Sequence, residues 1–218
     1  MPWPIEHRAG DVGAFHSRPL GDHRSATFFE VRSPTLVLGS SQRAESVDIE
    51  AAGRHGVDIA RRRSGGGGVL LWPAEHIWLD LEIPASDALW SDDLGRAMWW
   101  VGEVWQQGLS PFAPSARVHR GRLQRTQWSS AVCFAGVGPG EVLVGNAKLV
   151  GVSQRRTRHA ARFQTMVHLH WRPDVSAALV SGPPSTRPVT KDLAPLVATC
   201  TASAEMITSR LVAALNQL

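Results

Sequence analysis

Short strand-like segments lie on both sides of one long amphipathic helix, and this order constrains the fold more than any other feature. The helix is predicted over residues 92–108, where apolar residues recur at helical spacing from Leu94 to Trp105. Strands are predicted at residues 27–31, 35–39, 57–61, 69–72, 76–81, 141–144, 148–154 and 163–171. Strands on both sides of a central helix favour an α+β fold with one mixed sheet and helices packed on it.

Local sequence signals predict further helices, where helices begin and end, and which strands pair. A short helix is predicted over residues 46–55, with Asp48 near its start and Gly56 at its end. Two further helices are predicted over residues 175–180 and 204–215. The Pro73-Ala74 turn predicts that the strands on either side of it form a pair, and Asp92-Asp93 suit the positive end of the long helix.

Length and cysteine content restrict the class of protein. A chain of 218 residues fits one domain, here residues 1–218, and it contains no apolar run long enough to cross a membrane. Residues 1–7 lack the basic and apolar regions of a signal peptide. Cys133 and Cys200 are the only cysteines and are far apart, which indicates neither a disulfide framework nor a zinc site. We therefore expect a cytoplasmic protein without a bound metal.

The positive charge of the chain comes almost entirely from arginine. Of 23 basic residues, only Lys148 and Lys191 are lysine. Lys148 lies in a segment flanked by glycines, which makes it a candidate functional residue. The net charge of +4 suggests anionic ligands or partners. The arginines are dispersed and no aromatic-rich single-strand motif accompanies them, so nucleic-acid binding is not favoured.

The first candidate functional segment spans residues 61–68 and consists of Arg-Arg-Arg-Ser followed by four glycines. Glycines allow the backbone to approach a ligand closely and to present a row of N–H donors. Neighbouring arginines can bind phosphate or carboxylate oxygens. No Gly-Lys-Ser/Thr follows, so the segment is not a P-loop. Composition alone equally allows a flexible loop with solvated charges.

The second segment spans residues 145–156 and contains Lys148. Small Gly151 and Ser153 alternate with larger apolar residues, which indicates a strand with one face open to a close approach. Lys148 would then place an ammonium over that face. A lone lysine in a strand is also a common surface residue, and this alternative stays open.

The two segments together resemble the two signature blocks of the lipoate-protein ligase and octanoyltransferase family, which is related to the biotin-protein ligases. Arg-Arg-x-Ser-Gly-Gly-Gly is followed about eighty residues later by Lys-Leu-Val-Gly-x-Ser-Gln-Arg-Arg, and the resemblance covers residues 26–172. It implies that family's catalytic-domain fold, with a lysine that contacts the carbonyl being transferred, here Lys148. The substrate-binding residues that it implies are Arg61, Arg62, Ser64, Gly65, Gly66, Gly67, Gly151, Ser153 and Gln154.

The resemblance extends to Cys133, which precedes Phe134. One branch of the family, octanoyltransferases built on the ligase scaffold, carries a nucleophilic cysteine in a similar context. We therefore expect an octanoyl group to pass from acyl carrier protein to Cys133 and then to a lysine of a lipoyl carrier domain. Nearby Lys148 would favour the thiolate. Cys133 as a small buried hydrophobe is the alternative, and Cys200 is expected to be structural.

Two other functions remain open. One is ATP-dependent ligation of lipoate through an adenylate, which would require ATP and Mg²⁺ but no tightly bound cofactor. The other is a non-catalytic relative that binds an acyl group or a nucleotide. The ligases often carry a further C-terminal domain, for which this chain has little sequence left, and this favours the transferase.

The chain departs from the family pattern at two places. Leu71-Trp72-Pro73 replaces a His-Asp pair, and Gln164-Thr165-Met166 replaces a His-Gly-Thr stretch. Both changes are expected in the pocket wall, so the acyl group or its donor can differ from the common ones. Four tryptophans are candidates for narrowing that pocket, although core packing is the simpler role for them: Trp72, Trp78, Trp99 and Trp100.

Overall fold

The computed structural model describes residues 2–218, and its strands form two sheets. In chain order the strands are β1 (Ile5–Gly10), β2 (Ser25–Val31), β3 (Thr35–Leu38), β4 (Asp58–Arg61), β5 (Val69–Leu71), β6 (His76–Pro84), β7 (Arg117–Val118), β8 (Val142–Val144), β9 (Ala147–Arg156) and β10 (Ala160–His168). The helices are α1 (Val12–Ser17), α2 (Ile49–His55), α3 (Trp99–Leu109), α4 (Pro173–Ala178), α5 (Thr190–Leu193) and α6 (Ala204–Leu215).

The large sheet has the strand order β1-β2-β6-β10-β9-β8-β7. Only β1 and β2 run parallel; the other neighbours are antiparallel, so the sheet is mixed. The small sheet has the order β4-β3-β5, and the glycine-rich segment connects its two outer strands. The predicted α+β fold, a mixed sheet flanked by helices, is confirmed.

The predicted pair of strands around Pro73-Ala74 is wrong. β5 pairs with β3 in the small sheet, whereas β6 pairs with β2 and β10 in the large one. Ala74 has a positive φ of 60° in the turn that carries the chain from one sheet to the other. Both strands are largely buried, and continuous burial removes the polar–apolar alternation that would have separated their faces.

The long helix begins later than predicted. α3 starts at Trp99, behind a 3₁₀ turn at Arg96–Met98. The Asp93 carboxylate accepts the N–H groups of Gly95 and Arg96 at 2.8 and 3.0 Å and thereby caps that turn. α2 also begins later than predicted, at Ile49 and not at residue 46, with Asp48 as its cap and Gly56 at its end in the left-handed conformation. The prediction for α6 is confirmed, because this helix spans Ala204–Leu215.

The two faces of the large sheet have different partners. On one face α3 and α6 pack against alternate residues of β6 and β10, such as Leu79 and Phe163. On the other face Trp78 and Met166 meet Val37 of the small sheet. This second interface carries the candidate site. Within residues 2–218 no helix is both long and apolar enough to cross a membrane.

Candidate active site

A cavity of about 440 Å³, its mouth included, lies between the two sheets. Its apolar wall consists of Val37, Val69, Leu71, Trp78, Phe134 and Met166. The polar side chains that reach it belong to His16, Arg62, Cys133, Ser153 and Gln164. A mostly apolar cavity with a few polar groups suits a short acyl chain better than a highly charged ligand.

Two arginines of the first block bind backbone carbonyls. Arg62 is buried, and its guanidinium donates to the carbonyl oxygens of Val37, Gly65 and Gly67 at 3.0, 2.7 and 2.9 Å. Exposed Arg61 donates to the Gly39 carbonyl at 2.9 Å. Arg62 therefore shapes the glycine loop from the cavity wall, while Arg61 ties it to the segment after β3.

The glycine loop lies directly against the segment that carries Cys133. A Cβ on Gly67 would come within 2.7–2.8 Å of backbone atoms of Val132 and Cys133, and one on Gly66 would stand 3.5 Å from the Cys133 Sγ. The Cys133 N–H donates to the Gly68 carbonyl at 2.9 Å. Throughout residues 2–218, no protein group accepts the N–H groups of Gly65, Gly66 and Gly67. Gly65 and Gly66 are exposed, so their N–H groups can bind a ligand beside the Cys133 thiol, whereas Gly67 is buried against the Cys133 segment.

Lys148 is buried behind the cavity wall. Its Nζ lies 2.9 and 2.8 Å from the two carboxylate oxygens of Glu141 and donates to the Cys133 carbonyl oxygen at 2.9 Å. The ammonium also lies 5.2 Å from the centre of the Phe134 ring. The sequence placed this ammonium over an open face, whereas the structure pairs it with a carboxylate. Lys148 thus contacts the backbone of Cys133, and it does not line the cavity.

The two blocks meet through small side chains. The Ser64 and Ser153 hydroxyls are 3.0 Å apart, which joins the glycine loop to β9. Gly151 faces the Phe134 ring, which a Cβ would approach to 3.0 Å. Gln154 is the exception. It pairs across the sheet with Phe163, whose side chain lies in the helix-covered core, so Gln154 points away from the cavity.

A polar network at the cavity wall was missed by sequence reasoning. The Gln164 Nε2 lies 2.9 Å from His16 Nδ1 and donates to Asp80 Oδ2 at 3.2 Å, while the Trp78 indole N–H donates to Asp80 Oδ1 at 2.6 Å. Burial raises the pKa of Asp80 to about 7. Burial, followed by the charges of Arg62 and a second arginine, lowers the pKa of His16 to about 3. Gln164 was noted only as a departure from the family pattern, and His16 carries no local signal.

Of the candidate tryptophans, Trp78 lines the cavity and the other three do not. Trp100 lies in the core, and Trp72 stacks with the Arg172 guanidinium at 4.2 Å. Cys200 is buried in the same core as Trp100. The described part of the chain brings together no group of three or more metal-binding side chains.

A family comparison agrees with this geometry. The model of the lipoyl protein ligase A/B catalytic domain matches residues 9–201. The chain belongs to this family. No curated protein sequence is significantly similar to it.

Solved structures with the same fold include two lipoate-protein ligases and a protein bound to lipoate. The bipartite lipoate protein ligase of Thermoplasma acidophilum, studied with its E2 lipoyl domain, aligns with a TM-score of 0.76 at 17% identity over 100% of this chain and 83% of its own. Lipoate-protein ligase A bound with ATP aligns with a TM-score of 0.72 at 17% identity, over 100% of this chain and 85% of its own. P. falciparum LipL1 in complex with lipoate aligns with a TM-score of 0.66 at 9% identity, over 100% of this chain and 60% of its own. At these identities the likeness shows a shared fold.

Proposed function

We propose that this chain transfers an octanoyl group to a lysine of a lipoyl carrier domain through a thioester on Cys133. The observation that carries the proposal is the position of Cys133 at the wall of an apolar cavity, with its Sγ beside the glycine loop. An acyl chain in that cavity would place its carbonyl between the thiol and the loop. Family membership and the lipoate bound to P. falciparum LipL1 support an acyl substrate of this size.

The reaction proceeds in two balanced steps. The Cys133 thiolate attacks the carbonyl of an octanoyl thioester on acyl carrier protein, and the carrier's thiolate leaves and takes up a proton. The amine of the target lysine then attacks the Cys133 thioester, forms an amide and loses its proton, and the Cys133 thiolate leaves. A free carboxylate would not react with an amine in this way, so the acyl group must arrive activated.

Negative charge develops on the carbonyl oxygen in both steps. The N–H groups of Gly65 and Gly66 are suited to stabilise it because both residues are exposed and donate to no protein acceptor within residues 2–218. A direct contact between Lys148 and the transferred carbonyl stays a prediction. It would require the ammonium to exchange one of its present acceptors for the substrate.

A lipoyl carrier domain is the proposed acceptor, as the T. acidophilum ligase studied with its E2 lipoyl domain suggests. Residues 120–128 form an exposed loop that leads to Cys133, and Leu123 on this loop is 53% exposed. Within the described chain the Arg122 and Arg125 side chains form no salt bridge. We infer that an acidic carrier surface docks on this loop. The free thiols suit a reducing compartment such as the cytoplasm.

ATP-dependent ligation is the second candidate, and a cluster of guanidinium groups favours it. The pKa of Arg155 on β9 is lowered first by burial and then by the charge of exposed Arg63. The two guanidinium groups therefore lie close enough to repel each other. Such a pair can bind the phosphate oxygens of ATP in its complex with Mg²⁺. Lipoate-protein ligase A was solved with ATP, which supports this alternative.

Mass spectrometry separates the candidates. The protein is incubated with octanoyl acyl carrier protein without ATP, and we expect one octanoyl adduct on Cys133 that disappears when a lipoyl domain is added. The Cys200→Ala variant should form the same adduct and the Cys133→Ala variant none. Pyrophosphate release from ATP and lipoate without a cysteine adduct would instead support the ligase. Acyl binding without either reaction would support a non-catalytic relative.

A further inference from the structure

Glu141 lies outside both sequence blocks and yet contacts the centre of the site. It directly precedes β8, and its carboxylate is buried. Besides the Lys148 ammonium, this carboxylate accepts the N–H groups of Gly138 at 2.6 Å and Val152 at 3.3 Å. A buried carboxylate with this many donors has a fixed position, so its lysine partner is fixed as well.

The fixed lysine acts on Cys133 through the backbone. An ammonium has three N–H donors, and the acceptors of Lys148 are the two oxygens of Glu141 and the carbonyl of Cys133. That carbonyl belongs to the first residue of a 3₁₀ turn, Cys133–Ala135. Glu141, Lys148 and this turn therefore form one connected unit, and the direction of the Cys133 side chain depends on it.

We propose that Glu141 is a positioning residue for the Cys133 nucleophile and acts through Lys148. The proposal rests on the function proposed above. Glu141 does not line the cavity, so it has no direct part in holding the acyl chain. Its carboxylate holds the buried ammonium in a position that directs it at the Cys133 carbonyl.

Removing the carboxylate charge has a local consequence. A buried ammonium without a counter-ion moves toward water, and the Cys133 carbonyl then loses a fixed donor. The thiol then no longer points reliably at the substrate carbonyl. Because the cavity is intact, binding of the acyl donor changes little while the chemical step slows.

The test compares Glu141→Gln and Glu141→Asp with the wild-type protein in steady-state octanoyl transfer. Misplacement of a reacting group by about 1 Å costs on the order of 100-fold in rate. We expect kcat of the Gln variant to fall by that order with KM for the octanoyl carrier unchanged. The Asp variant keeps the charge and should recover part of the loss, and it carries the test if the Gln variant does not fold. Glu75→Gln is the matched control, because Glu75 pairs with Arg172 outside the cavity.

A second readout needs no acyl transfer. Alkylation of the Cys133 thiol by iodoacetamide at a single pH should be several-fold faster in Glu141→Gln, because its turn is no longer held, and unchanged in Glu75→Gln. If the wild-type protein forms no octanoyl adduct, the proposed function fails while alkylation still tests the positioning. If the wild-type protein transfers octanoate and Glu141→Gln has equal kcat and equal alkylation, the inference is overturned.

Discussion

Replacing Lys148 with methionine should destabilise the fold far more than the loss of an ordinary ion pair. The Lys148 and Glu141 side chains are only 2% and 5% exposed, so the substitution leaves a carboxylate buried without its counter-ion. Breaking such a pair from one side costs about 3–5 kcal/mol. The N–H groups of Gly138 and Val152 still bind the carboxylate, so we expect about 3 kcal/mol, at the low end of that range.

The assay is urea unfolding at pH 7.5, with the free energy of unfolding extrapolated to water. The double variant Lys148→Met/Glu141→Gln removes both charges and should regain at least half of the loss, because no unpaired charge is buried. Arg172→Met is the matched control: its pair with Glu75 is 32% and 21% exposed, so the loss should stay within about 1 kcal/mol. Equal losses in the Lys148 and Arg172 variants, or a double variant as unstable as the sum of the singles, would refute the reasoning.

Three further predictions follow from the site and its surroundings. Gly67→Ala should cost about 1–3 kcal/mol in unfolding free energy and abolish transfer, because its Cβ meets backbone atoms. Gly65→Ala, with no atom within 4 Å of its Cβ, should retain the wild-type stability. Arg122→Glu/Arg125→Glu should raise KM for the lipoyl domain without changing adduct formation on the cysteine, measured by steady-state transfer and mass spectrometry. Acidification from pH 6.5 to about 4 should lower the unfolding free energy. Three histidines, His16, His76 and His168, have pKa values lowered to about 3–4 and bind protons only when unfolded, whereas Asp80, with a pKa of about 7, binds one when folded. The unfolded state thus binds a net two protons more than the folded state, so the unfolding free energy falls by roughly 3 kcal/mol per pH unit. Urea unfolding at several pH values measures this slope.

Much of the fold could be predicted because its signals are local. Asp48 and Gly56 delimit α2, and the helical spacing of apolar residues gave the bounds of α6. The glycine loop and β9 were both located, and the Ser64–Ser153 contact shows that they meet. Each of these features depends on residues close together in sequence or on a pattern with a clear period.

What could not be predicted depends on contacts between distant residues. The partner of β5 is decided by burial in the small sheet, which nothing around Pro73 reveals. Glu141 and Lys148 are seven residues apart, but their pairing requires the β8–β9 turn and burial on both sides. His16 and Gln164 are 148 residues apart in sequence, and only the folded chain brings their side chains together. Gln154 was predicted to bind substrate, but its side chain points away from the cavity. The motif gives the order of the residues and does not show which face of the strand each side chain occupies.

Cys133 carries the acyl group in the proposed reaction, and one time course tests this directly. Wild-type protein is mixed with octanoyl acyl carrier protein, and intact mass is followed before and after a lipoyl domain is added. We expect an octanoyl adduct that maps to Cys133, followed by its loss at the rate at which the octanoylated lipoyl domain appears. Formation of the octanoylated lipoyl domain at an unchanged rate in the Cys133→Ala protein would contradict it.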